Sequence, residues 1–230
     1  MNSSSDRQLA KSAQSEAVRL TADHLAQALS LSQASQWPYR SEDWAFALSL
    51  GHGFAVENDG RLVGTALWWP YGADFASVGM IIVAEDAQRQ GIGGRLMSAV
   101  LADRAGRNVL LNSTREGEAL YTRLGFKPYG AVHQHQAILA QAPASDTSLS
   151  IRAATPEDRP ALQALDQRAS GMDRTALLDA LHAMADVIVV DDDMQPLTPG
   201  DGKVGKVARG GNIPLGYYKD AEKTARTFLT

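Results

Sequence analysis

The chain is 230 residues long, 44% hydrophobic and 21% charged, with a formal net charge of −4. That supplies apolar material for a sizeable core in one or two domains, and the lack of clustered cations argues against a nucleic-acid partner. No cysteine is present, which removes disulfides, thiolate metal sites and a catalytic thiol, and no metal is expected. With no apolar run near the roughly 18 residues of a membrane span and no signal core at the N-terminus, a cytoplasmic protein without membrane partners is expected.

Residues 1–16 are polar and are expected to form a flexible tail. Ala17-Val18-Arg19-Leu20 reads as a short strand. Thr21 is the expected N-cap of a helix that carries Leu25, Ala28, Leu29 and Leu31 and ends before Trp37-Pro38. Ser41-Glu42-Asp43-Trp44 opens a second helix with its acids in the first turn, and Gly51 and Gly53 bracket its stop. Phe54-Ala55-Val56 and the run from Leu62 to Trp69 flank Asn58-Asp59-Gly60, a hairpin signal, and a third strand follows from Phe75 to Val83.

A polar turn then leads to glycines at 91, 93 and 94 and a helix from Gly93 to Ala105, whose Leu96, Met97, Val100 and Leu101 form an apolar stripe. Asn108 to Asn112 reads as a strand, Thr114 as the start of a helix, and the alternating run Tyr129 to Ile138 as a closing strand. Residues 141–149 are small and polar, as a linker would be. Beyond them Ser150 to Asp158 repeats the opening strand and helix cap, and Leu162, Leu165, Leu177, Leu178, Leu181 and Met184 mark two amphipathic helices. From about Val187 glycine and proline become dense, and a hairpin is expected from Val187–Val190 and Val204–Arg209.

The chemistry concentrates in the glycine turn. Glycines remove the Cβ atoms that would keep a ligand off the backbone, so consecutive N–H groups and a helix N-terminus can face one anion. No Gly-Lys-Ser/Thr closes the turn, so a P-loop is excluded, and Gly-x-Gly-x-x-Gly is not completed. What remains is Gln88-x-x-Gly91-x-Gly93, followed after the strand at 108–112 by Ala119-x-Tyr121-x-x-x-Gly125-Phe126. Together these motifs resemble the GNAT family of acyl-CoA-dependent N-acyltransferases over residues 17–140. The stretch 150–186 resembles the start of a second, truncated GNAT unit, as in tandem members. Residues 187–230 resemble a fragment of the acyl-CoA synthetases, a graft too poor in apolar residues to fold independently, so that a chimeric C-terminus is expected.

The resemblance implies an α/β (α+β) GNAT fold, a mixed, mostly antiparallel sheet flanked by helices, followed by the incomplete unit. It also implies acetyl-CoA as cofactor. Its phosphates would sit on the amides of Gln88, Arg89, Gln90, Gly91, Ile92, Gly93 and Gly94, with Arg89 or Arg95 adding charge at the rim. The pantetheine arm would pair with Met80, Ile81, Ile82 and Val83 on a strand that splays from its neighbour, and a backbone N–H near Ile82 would polarise the thioester carbonyl. Tyr121 matches the position that protonates the departing thiolate, and Asn112 fits a contact to cofactor or ordered water.

Trp37, Tyr39 and Trp68 lie on segments that wall the acceptor side. Core packing is the alternative reading for each of them, and for Trp44, Trp69 and Tyr71 beside them. The strand before the glycine turn has no glutamate where many members place the base, and Glu85 and Asp86 read as solvent-facing turn acids; His133 and His135 are the weaker candidates for that role. The expected reaction is acetyl transfer to a primary amine of a small molecule or peptide, with a homodimer left open. A CoA-binding sensory module without turnover is the alternative, and an acyl-CoA ligase, drawn from the tail alone, is the third.

Overall fold

The computed structural model describes residues 16–133 and 154–184, together with the backbone of two short strands at 187–190 and 206–209. These residues fall into two compact units, one running to Leu111 and the other beginning at Asn112.

The first unit is built on a five-stranded sheet in the order β1 (Ala17–Arg19), β2 (His52–Asn58), β3 (Arg61–Tyr71), β4 (Phe75–Val83) and β5 (Asn108–Leu111). The first four strands are antiparallel to their neighbours, and β5 runs parallel to β4. The hairpin expected at Asn58-Asp59-Gly60 joins β2 to β3, with Asn58 opposite Arg61. Strand β3 sits mid-sheet and is buried from Leu62 to Trp68, which is why its apolar run is continuous rather than alternating.

Helices cover both faces. Helix α1 (Leu25–Ala34) is entered through a 3₁₀ turn at Ala22–His24, where the Thr21 N–H donates to His24 Nδ1 at 3.0 Å. In α2 (Ser41–Ser49) the Asp43 carboxylate accepts the Arg40 N–H at 2.9 Å, closing the first turn. Trp44 is fully buried and donates its indole N–H to Ser32 Oγ of α1 at 3.1 Å, so it serves the core. Helix α3 (Ile92–Asp103) buries Ile92, Leu96, Met97 and Val100. It approaches β3 so closely that a Cβ at Gly64 would stand 2.7 Å from Ile92 Cγ2. Trp69, of the opposite parity on β3, donates to Ala47 O of α2 at 2.7 Å, which places α2 and α3 on opposite faces of the sheet.

The second unit contains α4 (Arg115–Arg123), α5 (Arg159–Ser170) and α6 (Thr175–Met184), and the antiparallel pair β6 (Val187–Val190) and β7 (Lys206–Arg209). Helix α5 follows a 3₁₀ turn capped at Thr155, whose N–H donates to Asp158 Oδ2 at 2.8 Å, as the sequence leads one to expect. Gln163 donates to Asp179 at 2.9 Å and Arg174 pairs with Asp166.

The closing strand is a correction in its described part. Residues 129–133 form no strand, and Tyr129 and Val132 stand 84% and 81% exposed. Alternation assigns side chains to a face but provides no partner for the backbone, and a strand needs both. Residues 134–138 of that run, the tail 1–15, the linker 141–149 and the strand expected at 150–153 lie outside the described residues. No helix among the described residues is long and apolar enough to cross a membrane.

Candidate functional site

Strand β4 ends at Val83, a 3₁₀ turn spans Glu85–Ala87, and α3 begins at Ile92 with Gly91 as its N-cap. Gly91 has φ +79°, a left-handed conformation that costs a residue with a Cβ about 1–2 kcal/mol. As glycine it offers no side chain to cap the helix, so the first-turn N–H groups at Ile92, Gly93 and Gly94 remain for an outside acceptor.

Packing does not explain Gly91 and Gly94. A Cβ at Gly94 would meet nothing within 4 Å, and one at Gly91 would meet only Arg95 Nη1 at 3.9 Å. The contrast is Gly64, where the protein itself fills the space. Gln88, Arg89, Gln90 and Gly91 are exposed, so the turn opens to solvent. Its side chains brace it from within: Gln88 Nε2 donates to Val83 O at 3.3 Å, Gln90 Nε2 to Asp86 O at 3.1 Å, and Arg95 Nη1 to Gln90 O at 3.4 Å. A helix dipole, uncapped amides and vacant Cβ space together suit a diphosphate.

The adjoining strand has a feature no sequence signal announced. Thr65 pairs with Ile82 but Leu67 pairs with Gly79, so Met80 and Ile81 together oppose Ala66 alone. This β-bulge puts Met80, a buried non-glycine residue, at φ +50°. Glycine is the usual mark of a left-handed residue, and here it sits one position too early, at 79. Parallel pairing with β5 ends at Val78 opposite Leu111, where the bulge bends β4 away. The edge of β4 that faces away from β3 thus has no strand partner from Gly79 to Val83 among the described residues.

The ladder also says which amide looks out of that edge. Ala84 N–H donates to Val63 O at 2.9 Å, and hydrogen-bonded positions recur every second residue, so Ile82 turns its N–H toward β3 and Ile81 turns its own outward. The Met80–Ile81 peptide agrees: the Met80 carbonyl accepts from Thr65 Oγ1 at 2.9 Å, and in a trans peptide the N–H points the other way. The outward-facing backbone N–H nearest Ile82 on this edge is thus that of Ile81.

Asn112 and Tyr121 belong to the second unit, where Asn112 is exposed. Tyr121 lies in the last turn of α4, which closes in a glycine stop: Gly125 has φ +87°, the Phe126 N–H donates to Tyr121 O at 3.0 Å, and the two rings meet edge-on with centroids 6.0 Å apart. The Tyr-x-x-x-Gly-Phe spacing thus has a structural use of its own. A Cβ at Gly117 would fall 2.8 Å from the Tyr121 ring, so that glycine makes room for it. Burial pushes the phenol above its usual range, keeping it protonated.

The aromatic group divides. Trp37 and Tyr39 meet edge-on at 5.9 Å and Tyr39 meets Trp44 at 6.2 Å, in the connection between α1 and α2. Trp68 lies on the α3 face instead, donating to Asp103 Oδ2 at 3.0 Å, and does not join them. Ser77 Oγ donates to the Tyr71 hydroxyl at 3.0 Å on the α2 face. Glu85 and Asp86 are exposed, with Asp86 2.7 Å from Arg61, as turn acids would be. His133 is exposed, and His135 lies outside the described residues. Among the described residues no group of three or more His, Asp or Glu could hold a metal ion.

Comparison with known proteins places this geometry. Residues 49–128 match the family model described as the acetyltransferase (GNAT) domain. The uncharacterised N-acetyltransferase YitH of Bacillus subtilis is 27% identical over 169 residues, covering 72% of this chain and 60% of YitH. A solved structure of a Pyrococcus horikoshii protein assigned as an acetyltransferase superposes with a TM-score of 0.57 at 17% identity, over 76% of this chain and 64% of that one, a likeness of fold. A segment of 40 residues is 70% identical to the 3-oxocholest-4-en-26-oate–CoA ligase of Rhodococcus rhodochrous, covering 17% of this chain and 7% of the ligase. The chain thus spans less than a tenth of that ligase and under two thirds of YitH.

Proposed function

We propose that the chain is an N-acyltransferase that moves an acetyl group from acetyl-CoA to a primary amine of a small molecule or peptide, a reading supported by the match of residues 49–128 to the acetyltransferase (GNAT) domain model. The observation that carries the proposal is the pairing of an uncapped, solvent-open glycine turn at the head of α3 with the unpaired edge of β4 beside it. One feature binds phosphate and the other accepts an extended arm as a surrogate strand.

Bound acetyl-CoA supplies an activated acyl carbonyl with a thiolate leaving group. The amides of Arg89 to Gly94 hold the diphosphate, with Arg89 or Arg95 adding charge. The outward N–H of Ile81 is aimed to receive an oxygen that gains negative charge, and backbone edges from Met80 to Val83 orient the arm. Tyr121 is assigned as the acid that protonates the departing sulfur, a task for which its raised pKa suits it. Trp37 and Tyr39 are assigned to the acceptor side, where the Tyr39 phenol is likewise pushed up by burial and by Asp43. No carboxylate lies on β4, so the amine arrives neutral or loses its proton through water. That lack of a base on the strand is also what favours the second reading, a CoA-binding sensor without turnover.

Thermal unfolding with acetyl-CoA, CoA and ATP separates these readings. The first two compounds raise the midpoint and ATP does not; at a hundredfold excess over Kd the stabilisation is about 2.7 kcal/mol. Thiol release over an amine panel then distinguishes transferase from sensor. Stabilisation by ATP alone would return the question to the ligase resemblance.

A further inference from the structure

We propose that Thr65 is a positioning residue for acyl transfer, its hydroxyl holding the bulged Met80–Ile81 peptide so that the Ile81 N–H stays aimed out of the β4 edge. The inference rests on the transferase reading and adds a residue to that site. Thr65 and Ser32 are the two fully buried polar side chains among the described residues, and Ser32 is accounted for by the Trp44 indole. Thr65 stands in the run Leu62-Val63-Gly64-Thr65-Ala66-Leu67-Trp68, where a valine of nearly the same shape would serve the core as well.

The hydroxyl has a task that valine lacks. Because Met80 and Ile81 oppose the single residue Ala66, the regular ladder is interrupted at the Met80 carbonyl, and Thr65 Oγ1 donates to it at 2.9 Å from inside the core. A carbonyl and the following N–H lie in one rigid peptide plane. Anchoring the Met80 oxygen on the β3 side therefore fixes the direction of the Ile81 hydrogen on the other. Met80 at φ +50° is a conformation that persists only where its surroundings over-determine it, and this hydrogen bond is the polar contact that does so.

The test compares Thr65→Val, which keeps shape and loses the donor, with Thr65→Ser, which keeps the donor. In Thr65→Val stabilisation by CoA, which has no acyl carbonyl, persists because the glycine turn that holds its diphosphate is untouched, reduced only by the looser pairing of the arm with the Met80–Ile81 edge. The kcat with acetyl-CoA falls on the order of a hundredfold, and the Ile81 amide resonance shifts. Thr65→Ser restores both kcat and resonance. Wild-type kcat in a folded Thr65→Val, an unmoved Ile81 resonance, or equal losses in the valine and serine variants would each overturn the assignment. If the wild type itself gains no stability from CoA, the transferase reading fails, and the Ile81 resonance in the two variants still decides whether Thr65 holds the peptide.

Discussion

At Gly91 and Gly94 the absence of a side chain means different things, and the difference can be measured. Gly91 is needed for its φ of +79°, so Gly91→Ala costs about 1–2 kcal/mol of stability whatever it does to ligand binding. Gly94 lies within α3 at ordinary helical geometry, and its missing Cβ opens onto empty space. Gly94→Val is therefore expected to leave the unfolding free energy within about 0.5 kcal/mol of wild type while abolishing stabilisation by CoA and raising the KM for acetyl-CoA at least about tenfold. Chemical denaturation and thermal shift on the same variant check both halves, and unaltered CoA binding would remove Gly94 from the proposed cofactor site. For Tyr121 the sign follows from burial. An acid whose pKa is raised stays protonated through its ordinary value, so kcat holds past the ordinary phenol pKa of about 10 before declining. Tyr121→Phe is expected to lower kcat about a hundredfold or more and to remove that alkaline limb, read from pH–rate profiles.

Helix α3 is fixed at both ends by different physics, and the end away from the glycine turn carries its own pH dependence. Asp103, at its C-terminus, takes two hydrogen bonds from Arg19 of β1, at 2.5 and 2.6 Å, and one from Trp68 of β3. The Arg19 guanidinium, helped by Trp68, holds the Asp103 carboxyl below its usual range. A depressed carboxyl contributes stability that is present above its ordinary pKa and lost as pH falls through the lowered one. Asp103→Asn is thus expected to be less stable than wild type at pH 7, with the difference closing below about pH 4 in denaturation curves taken across that range.

The α1–α2 contact is uncharged by comparison, a buried indole hydrogen-bonded to Ser32 Oγ. Trp44→Phe leaves Ser32 Oγ without its buried donor and vacates ring volume, an expected loss of about 1–3 kcal/mol measured by denaturant titration, with CoA-linked stabilisation retained.

For the molecule as a whole, we propose a catalytic domain spanning residues 17–140, a linker at 141–149, a truncated second unit over 150–186 and a ligase-like fragment from 187. A chain ended after residue 140 is expected to keep its stabilisation by CoA, and its loss in thermal unfolding would show that the later segments are part of the binding fold. Most of the element order was legible from local patterns. Asn58-Asp59-Gly60 marked its hairpin, the Leu96-Met97-Val100 stripe its helix, and Thr114 and Thr155 their helix starts, because turn chemistry, capping and helical periodicity are all read from neighbours a few residues apart. The vacant space at Gly94 could only be suspected, since a glycine that makes room for a ligand and one that makes room for a helix, as Gly64 does, look alike in a sequence.

What the chain's residues determined by themselves was the succession of strands and helices and the glycine turn at the head of α3. What only the folded arrangement decided was the bulge at Met80, the parting of β4 from β5 after Val78, the outward amide of Ile81 and the separation of Trp68 from Trp37 and Tyr39. The reason is one of range. Capping and periodicity act within a turn or two, whereas a bulge exists only between two strands, and its left-handed residue is chosen by the register of β3 against β4 and by the hydroxyl of Thr65, 15 positions earlier in the chain.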